Sequence, residues 1–157
     1  MATDPKNVRD LLQGFDTAML VTHLPSGHLR ARPMAIAKKG DQGDLWFATR
    51  VDSPKVEEIE GDHDVNVTMQ EGERFLSLSG VAQVVVDREA LDRLWDEAWR
   101  AWFPEGKDSE RLALIHVTPH EAEYWEHAGR DKVRLHFEPG MPLERRGVAG
   151  EEKKGSA

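Results

Sequence analysis

Cysteine is absent from all 157 residues. That excludes disulfides, thiolate nucleophiles and cysteine-ligated metal centres. Long apolar runs are missing as well, and no stretch approaches the ~20 residues that span a bilayer. Met1-Ala2-Thr3-Asp4-Pro5 is polar and leads into a helical pattern, without the apolar centre of a secretory leader. Neither a P-loop nor a Rossmann glycine fingerprint is present. Ser77-Leu78-Ser79-Gly80 is not the Gly-x-Ser-x-Gly elbow of a hydrolase. Positive charge is also in deficit: 21 Lys and Arg face 29 Asp and Glu, a formal net charge of -8 with a pI near 5.4. This balance disfavours general binding of nucleic acid or anionic membranes. A soluble, cytoplasmic protein is the expectation, and any anion site in it must be a local basic pocket.

Hydrophobic residues make up 39% of the chain, enough for one small core. The pattern predicts a single domain over residues 1–137 and a disordered tail over 138–157, where Pro, Gly, Glu, Lys and Arg dominate. Asp4-Pro5 opens a first helix whose Val8, Leu11, Leu12 and Phe15 share one face. Strands are expected at 17–23 and 28–39, joined by the turn Pro25-Ser26-Gly27, and at 45–49 after the Gly40–Asp44 turn. A short helix runs from Ser53 to about Glu60. Further strands follow at 65–70 and 74–87, the latter with Gly80 at a bulge or bend. Asp87 caps what reads as the longest helix, with Leu91, Leu94, Trp95, Ala98, Trp99 and Trp102 on its packing face. The last strands are expected at 111–118, 121–127 and 132–137. Mostly consecutive strands with hairpin-length loops fit an antiparallel barrel better than a parallel sheet.

Two constellations carry chemistry. In Trp46-Phe47-Ala48-Thr49-Arg50-Val51-Asp52-Ser53-Pro54-Lys55 a strand turns directly into a helix start. Ser53 suits the cap and Pro54 the first helical position. Lys55 then falls in the first turn, where unpaired N–H groups and the helix dipole already present positive charge. Two readings stay open there: a solvated lysine, or a lysine that helps hold a phosphate. In Arg30-Ala31-Arg32-Pro33-Met34 the two arginines point to one face of a strand, which calls for a wet surface or a shared anion. Pro33 cannot donate to a ladder, so this strand has an edge or a bulge there.

Taken together, these segments resemble the split-barrel flavin-binding family related to pyridoxamine 5′-phosphate oxidase. Arg32-Pro33-Met34, Trp46-Phe47-Ala48-Thr49 and Ser53-Pro54-Lys55 occur in that family's order. Leu76-Ser77-Leu78-Ser79-Gly80-Val81-Ala82 resembles its central strand, and Ala122-Glu123-Tyr124-Trp125 its last strand. Ala101-Trp102-Phe103-Pro104-Glu105-Gly106 is similar to the general stress protein subgroup. The resemblance covers roughly residues 4–137. It implies a mainly β, antiparallel FMN-binding split barrel of Greek-key type, and a homodimer with two cofactor sites at its interface. Carried over, Arg32 and Lys55 neutralise the FMN phosphate and Ser53 and Thr49 donate to it. The backbone around Arg32, Pro33, Met34, Ala48 and Thr49 lines the flavin edge, and Trp125 approaches from the partner subunit. FAD or a deazaflavin in the same cleft is the alternative cofactor.

Departures bear on the reaction. The vitamin-B6 oxidases grip substrate phosphate with Tyr, Arg and Ser after the central strand. Here residues 88–102 carry three tryptophans instead, which argues against true pyridoxamine 5′-phosphate oxidase activity. Arg134-Leu135-His136 follows Trp125 at a longer spacing than in those oxidases. No catalytic acid or base stands out, so the chain reads either as a flavin-dependent oxidoreductase of unknown substrate or as a flavin-binding module without turnover. His116 and His120 straddle Pro119, so no metal site is expected. Glu57, Glu58 and Glu60 read as a solvated helix face.

Overall fold

The computed structural model describes residues 8–126, 131–136 and 144–146. Helix α1 (Val8–Leu12) is followed by strands β1 (Thr17–His23), β2 (Leu29–Ala35), β3 (Lys38–Lys39) and β4 (Leu45–Arg50). Helix α2 (Pro54–Gly61) leads to β5 (Asp64–Glu71) and β6 (Arg74–Val85). Helix α3 (Arg88–Leu94) and two 3-10 turns, Glu97–Ala101 and Gly106–Asp108, precede β7 (Leu112–Glu126), β8 (Asp131–His136) and β9 (Glu144–Arg146). The pairings among these strands are antiparallel, and the main path through the sheet runs β2-β1-β5-β6-β7-β4-β3. Such a sheet curls because every strand carries a right-handed twist.

The expected strand at 28–39 is two strands, and the break closes the sheet. Through residue 36 this segment bonds to its hairpin partner: Ala35 faces Thr17, and the Ile36 N–H donates to the Asp16 carbonyl at 2.9 Å. One residue later the Ala37 N–H donates to the Trp46 carbonyl at 2.8 Å, and β3 pairs with β4. One chain segment therefore joins both ends of the sheet path. Pro33 lies on the end strand β2 opposite Met19, where its missing N–H leaves no gap in an inner ladder.

Two apolar clusters flank the sheet. The inner one holds Leu20, Phe47, Val67, Leu76, Leu78, Ile115 and Val117, with Leu11, Leu12 and Phe15 from the N-terminal helix and its exit. Alternation explains it: in β1, Ala18, Leu20 and Thr22 are buried while Thr17 and Met19 face out. Arg74 ties α1 to this layer. It donates to the carbonyls of Gln13 at 2.8 Å and Leu11 at 3.2 Å and to the Tyr124 hydroxyl at 3.0 Å, and it lies 4.7 Å over the Phe15 ring. Tyr124 in turn donates to the buried Glu126. The outer cluster packs Leu91, Trp99 and Phe103 against Leu112 and Leu114.

Three further expectations are corrected. The strands expected at 111–118 and 121–127 are one strand running through Pro119. A register shift between Ser79 and Gly80 absorbs the proline, placing Gly80 opposite Pro119 and Ser79 opposite Glu121. A Cβ on Gly80 would lie 2.3 Å from the Thr118 carbonyl oxygen, so the bulge requires glycine. The long helix expected after Asp87 stops at Leu94. Asp96 accepts from the Ala98 N–H at 2.8 Å and starts a separate 3-10 turn, a side-chain bond that competes with helix propagation. The tryptophans then diverge: Trp99 is buried edge-on to Trp95, with centroids 5.5 Å apart, while Trp102 is 60% exposed and not core. Finally, the acidic face of α2 is not wholly solvated, because Glu58 is 6% exposed. The side chains of Val8 and His136 and most of the expected tail lie outside the described residues, in which Glu144–Arg146 pairs with β8.

Candidate functional site

Strand β4 ends at Arg50 and α2 begins four residues later, so the last inward-facing residue of the strand meets the first helical turn. That residue is Thr49, which is buried, whereas Ala48 faces the outer cluster. Lys55 Nζ donates to Thr49 Oγ1 at 3.1 Å and to Ser53 Oγ at 2.8 Å. Ser53 occupies the N-cap position in extended conformation, yet its hydroxyl makes no bond to the helix N–H groups. It serves the lysine instead, which corrects the expected side-chain cap. Among the described residues no carboxylate lies within ion-pair distance of Lys55. Burial, and next the positive charge of Arg32, push its ammonium below the ordinary 10.5, with Glu58 opposing. A half-buried ammonium resting on neutral hydroxyls is a cation with spare capacity for an anion.

Beside it lies a denser network. Glu58 accepts from the Thr22 hydroxyl at 2.6 Å, from Arg32 Nη2 at 2.7 Å and from Arg30 Nη1 at 3.0 Å. Arg32 Nη1 also donates to Thr22 Oγ1 at 2.7 Å and to the Leu20 carbonyl at 3.2 Å. The anion shared by the two arginines is thus a side chain of this chain. Charge-assisted bonds of this kind are among the stronger ones, and they fasten α2 to β1 and β2.

The structure brings Arg32, Thr49, Ser53 and Lys55 into one neighbourhood. Pro33 and Met34 continue the Arg32 strand, with Met34 packed on the inner cluster. Trp125 lies elsewhere. Thr49 pairs with Ala113 at one end of β7, while Trp125 pairs with Phe75 and Lys132 at the other. The twelve steps from Ala113 to Trp125 span roughly 40 Å of extended strand. Trp125 and Lys55 of one protomer therefore do not line one small pocket. Arg134 faces Glu121 at 3.4 Å and Glu123 at 3.7 Å on the neighbouring strand. His116 Nε2 donates to the Asp44 carboxylate at 2.8 Å, and its ring stacks on Trp46 with centroids 3.9 Å apart. Among the described residues no three potential metal ligands converge.

Sequence reasoning missed Glu58 and Thr22. Glu58 lies three residues after Lys55, a spacing that puts both on one helix face. That was the available signal. These residues could hold a phosphate: the cations Lys55, Arg32 and Arg30 and the hydroxyls of Ser53 and Thr49 are offset by a single carboxylate, Glu58.

The family model for "Pyridoxamine 5'-phosphate oxidase like" proteins matches residues 3–138. The chain belongs to this family. Its fold is the FMN-binding split barrel shared by solved members. A general stress FMN/FAD binding protein from Xanthomonas citri is 30% identical, with a TM-score of 0.64 over 73% of this chain and 82% of that one. A protein related to general stress protein 26 from Clostridium acetobutylicum superposes with a TM-score of 0.72 over 82% and 90% of the two chains, at 18% identity. Protein bli-3 of Neurospora crassa is 28% identical over 110 residues, 63% of this chain and 53% of that protein. The chain thus spans about half the length of this curated relative. Among the described residues no helix is long and apolar enough to cross a membrane.

Proposed function

We propose that this chain binds FMN through the Lys55–Ser53–Thr49 cluster and the adjacent Arg32, as a cytoplasmic homodimer with the cofactor at the subunit interface. The observation that carries the reading is the half-buried Lys55 ammonium, ending on two hydroxyls 2.8 and 3.1 Å away with no carboxylate partner among the described residues. Membership of a flavin-binding family supplies the ligand class. The separation of Trp125 from Lys55 along β7 supports a shared site, since Trp125 then serves the cofactor of the partner subunit.

Bound flavin supplies hydride and electron transfer. The chain's own residues bind and orient it: cations and hydroxyls take the phosphate, and main-chain groups of residues 32–34 and 48–49 flank the ring. The described side chains of the cluster are binding groups, and none is placed as an acid or base. This favours flavin-dependent oxidoreductase chemistry that needs no protein proton donor. A flavin carrier without turnover is the second reading, favoured by the same lack. FAD and deazaflavin are the competing cofactors.

Titration of the purified protein with FMN, FAD, riboflavin and a deazaflavin tests the reading. Tight FMN binding with much weaker riboflavin binding is expected. Equal affinity for FMN and riboflavin removes the phosphate anchor, and no flavin binding removes the function.

A further inference from the structure

We propose that Glu58 is a positioning residue for the cofactor phosphate: it clamps Arg30 and Arg32 beside Lys55 and sets the site's charge to suit a phosphomonoester dianion. This rests on the flavin-phosphate reading above.

A carboxylate this buried persists only when paired. Glu58 has one partner on β1 and two on β2: Thr22, Arg32 and Arg30, at 2.6, 2.7 and 3.0 Å. Without it, two guanidiniums at alternate positions of one strand would repel and swing apart. With it, both are gathered on the α2 side of the sheet. Three acceptors fix the Arg32 guanidinium: the Leu20 carbonyl, Thr22 and Glu58. Of its five N–H donors, two take no acceptor among the described residues and are held in place. Arg30, with a side chain 53% exposed, keeps most of its donors for solvent or ligand.

Charge points the same way. Arg30, Arg32 and Lys55 with Glu58 leave two net positive charges. A phosphomonoester carries close to two negative charges at pH 7, its second pKa being about 6. Riboflavin carries none, and the diphosphate of FAD spreads its charge over two phosphorus centres. Three cations with no internal counter-ion would repel one another in the empty site. Glu58 lowers that cost while leaving charge for the ligand.

The test compares FMN and riboflavin affinities for the full-length protein and two variants, Glu58→Gln and Thr22→Val. The wild type is expected to prefer FMN. Glu58→Gln should lower FMN affinity by about tenfold or more, the scale of one charge-assisted bond, with riboflavin affinity unchanged. Thr22→Val keeps every charge but removes the hydroxyl shared by Arg32 and Glu58, and should lower FMN affinity several-fold, again without touching riboflavin. A purely structural role would weaken both ligands alike and overturns the proposal. FMN binding by Glu58→Gln as tight as, or tighter than, that of the wild type also overturns it, because Glu58 is then only a competing anion. If Glu58→Gln does not fold, Thr22→Val decides: an unchanged preference for FMN sinks the idea. A wild type that does not prefer FMN to riboflavin overturns the underlying reading, before any variant is measured.

Discussion

The Arg74 guanidinium donates to the Tyr124 hydroxyl at 3.0 Å, joining residues fifty positions apart. The same side chain takes the carbonyls of Leu11 and Gln13 and covers the Phe15 ring. Arg74→Ala therefore leaves two carbonyls and a buried tyrosine without their donor. It is expected to destabilise the protein by about 2–4 kcal/mol, the loss of more than one bond to a charged group. Arg74→Lys should recover less than half, because an ammonium cannot reproduce the fork. Chemical denaturation of both variants checks this, and wild-type stability in Arg74→Ala would refute it.

Gly80→Ala puts a methyl group 2.3 Å from the backbone oxygen of Thr118. Neither backbone can yield without altering the β6–β7 ladder. A loss of about 1–3 kcal/mol is expected, typical of overpacking. Gly61→Ala is the control, since nothing lies within 4 Å of its Cβ position. A similar midpoint shift in both would mean that the bulge is not tight.

At the candidate site, Lys55→Met and Arg32→Met should each weaken FMN binding by about 1.5–3 kcal/mol, as for a charge-assisted bond. Riboflavin affinity should stay near that of the wild type. Fluorescence titration reads both. Unaltered FMN affinity in both variants would remove the assigned phosphate site.

The pH dependence follows from the same lysine. Burial beside Arg32 holds the Lys55 pKa below 10.5, so the ammonium loses its proton earlier than an exposed lysine. FMN affinity should fall as pH rises through that lowered value, and Lys55→Arg should postpone the fall. The sign for ligand-free stability is opposite. The unfolded chain holds this proton more tightly, so the lysine's cost is fully present below the folded pKa and is relieved as pH rises from there towards 10.5. Stability of wild type relative to Lys55→Met should thus improve over that alkaline window. A flat difference between pH 8 and 10.5, pH values chosen around the lysine range, would contradict the shift.

Sedimentation at micromolar concentration is expected to show a dimer. A well-folded monomer that binds FMN with full affinity would rule out the shared-interface site.

What the sequence disclosed depended on distance along the chain. The strand at 17–23 was legible from its own residues and the turn that follows it, and the mid-strand Gly80 signalled its bulge. The Lys55–Ser53–Thr49 cluster was legible because seven residues contain it. The change of partner between Ile36 and Ala37 was not, since both halves of that segment are extended and no local signal says which neighbour each takes. Pro119 read as a break because the compensating bulge sits on β6. Glu58 read as solvated because its partners lie 26 to 36 residues away. The helical spacing of the tryptophans held no sign that Asp96 would compete for the Ala98 N–H.

The partner change between Ile36 and Ala37 is a seam: there the two end strands of the sheet path are joined by covalent continuity instead of a ladder. Arg32 sits on one side of it, and Thr49, Ser53 and Lys55 on the other. At the site proposed above, a bound anion would be gripped from both sides, a bolt across the joint. On that proposal, filling the site would also hold the barrel closed, and the two-residue strand β3 should be harder to peel away.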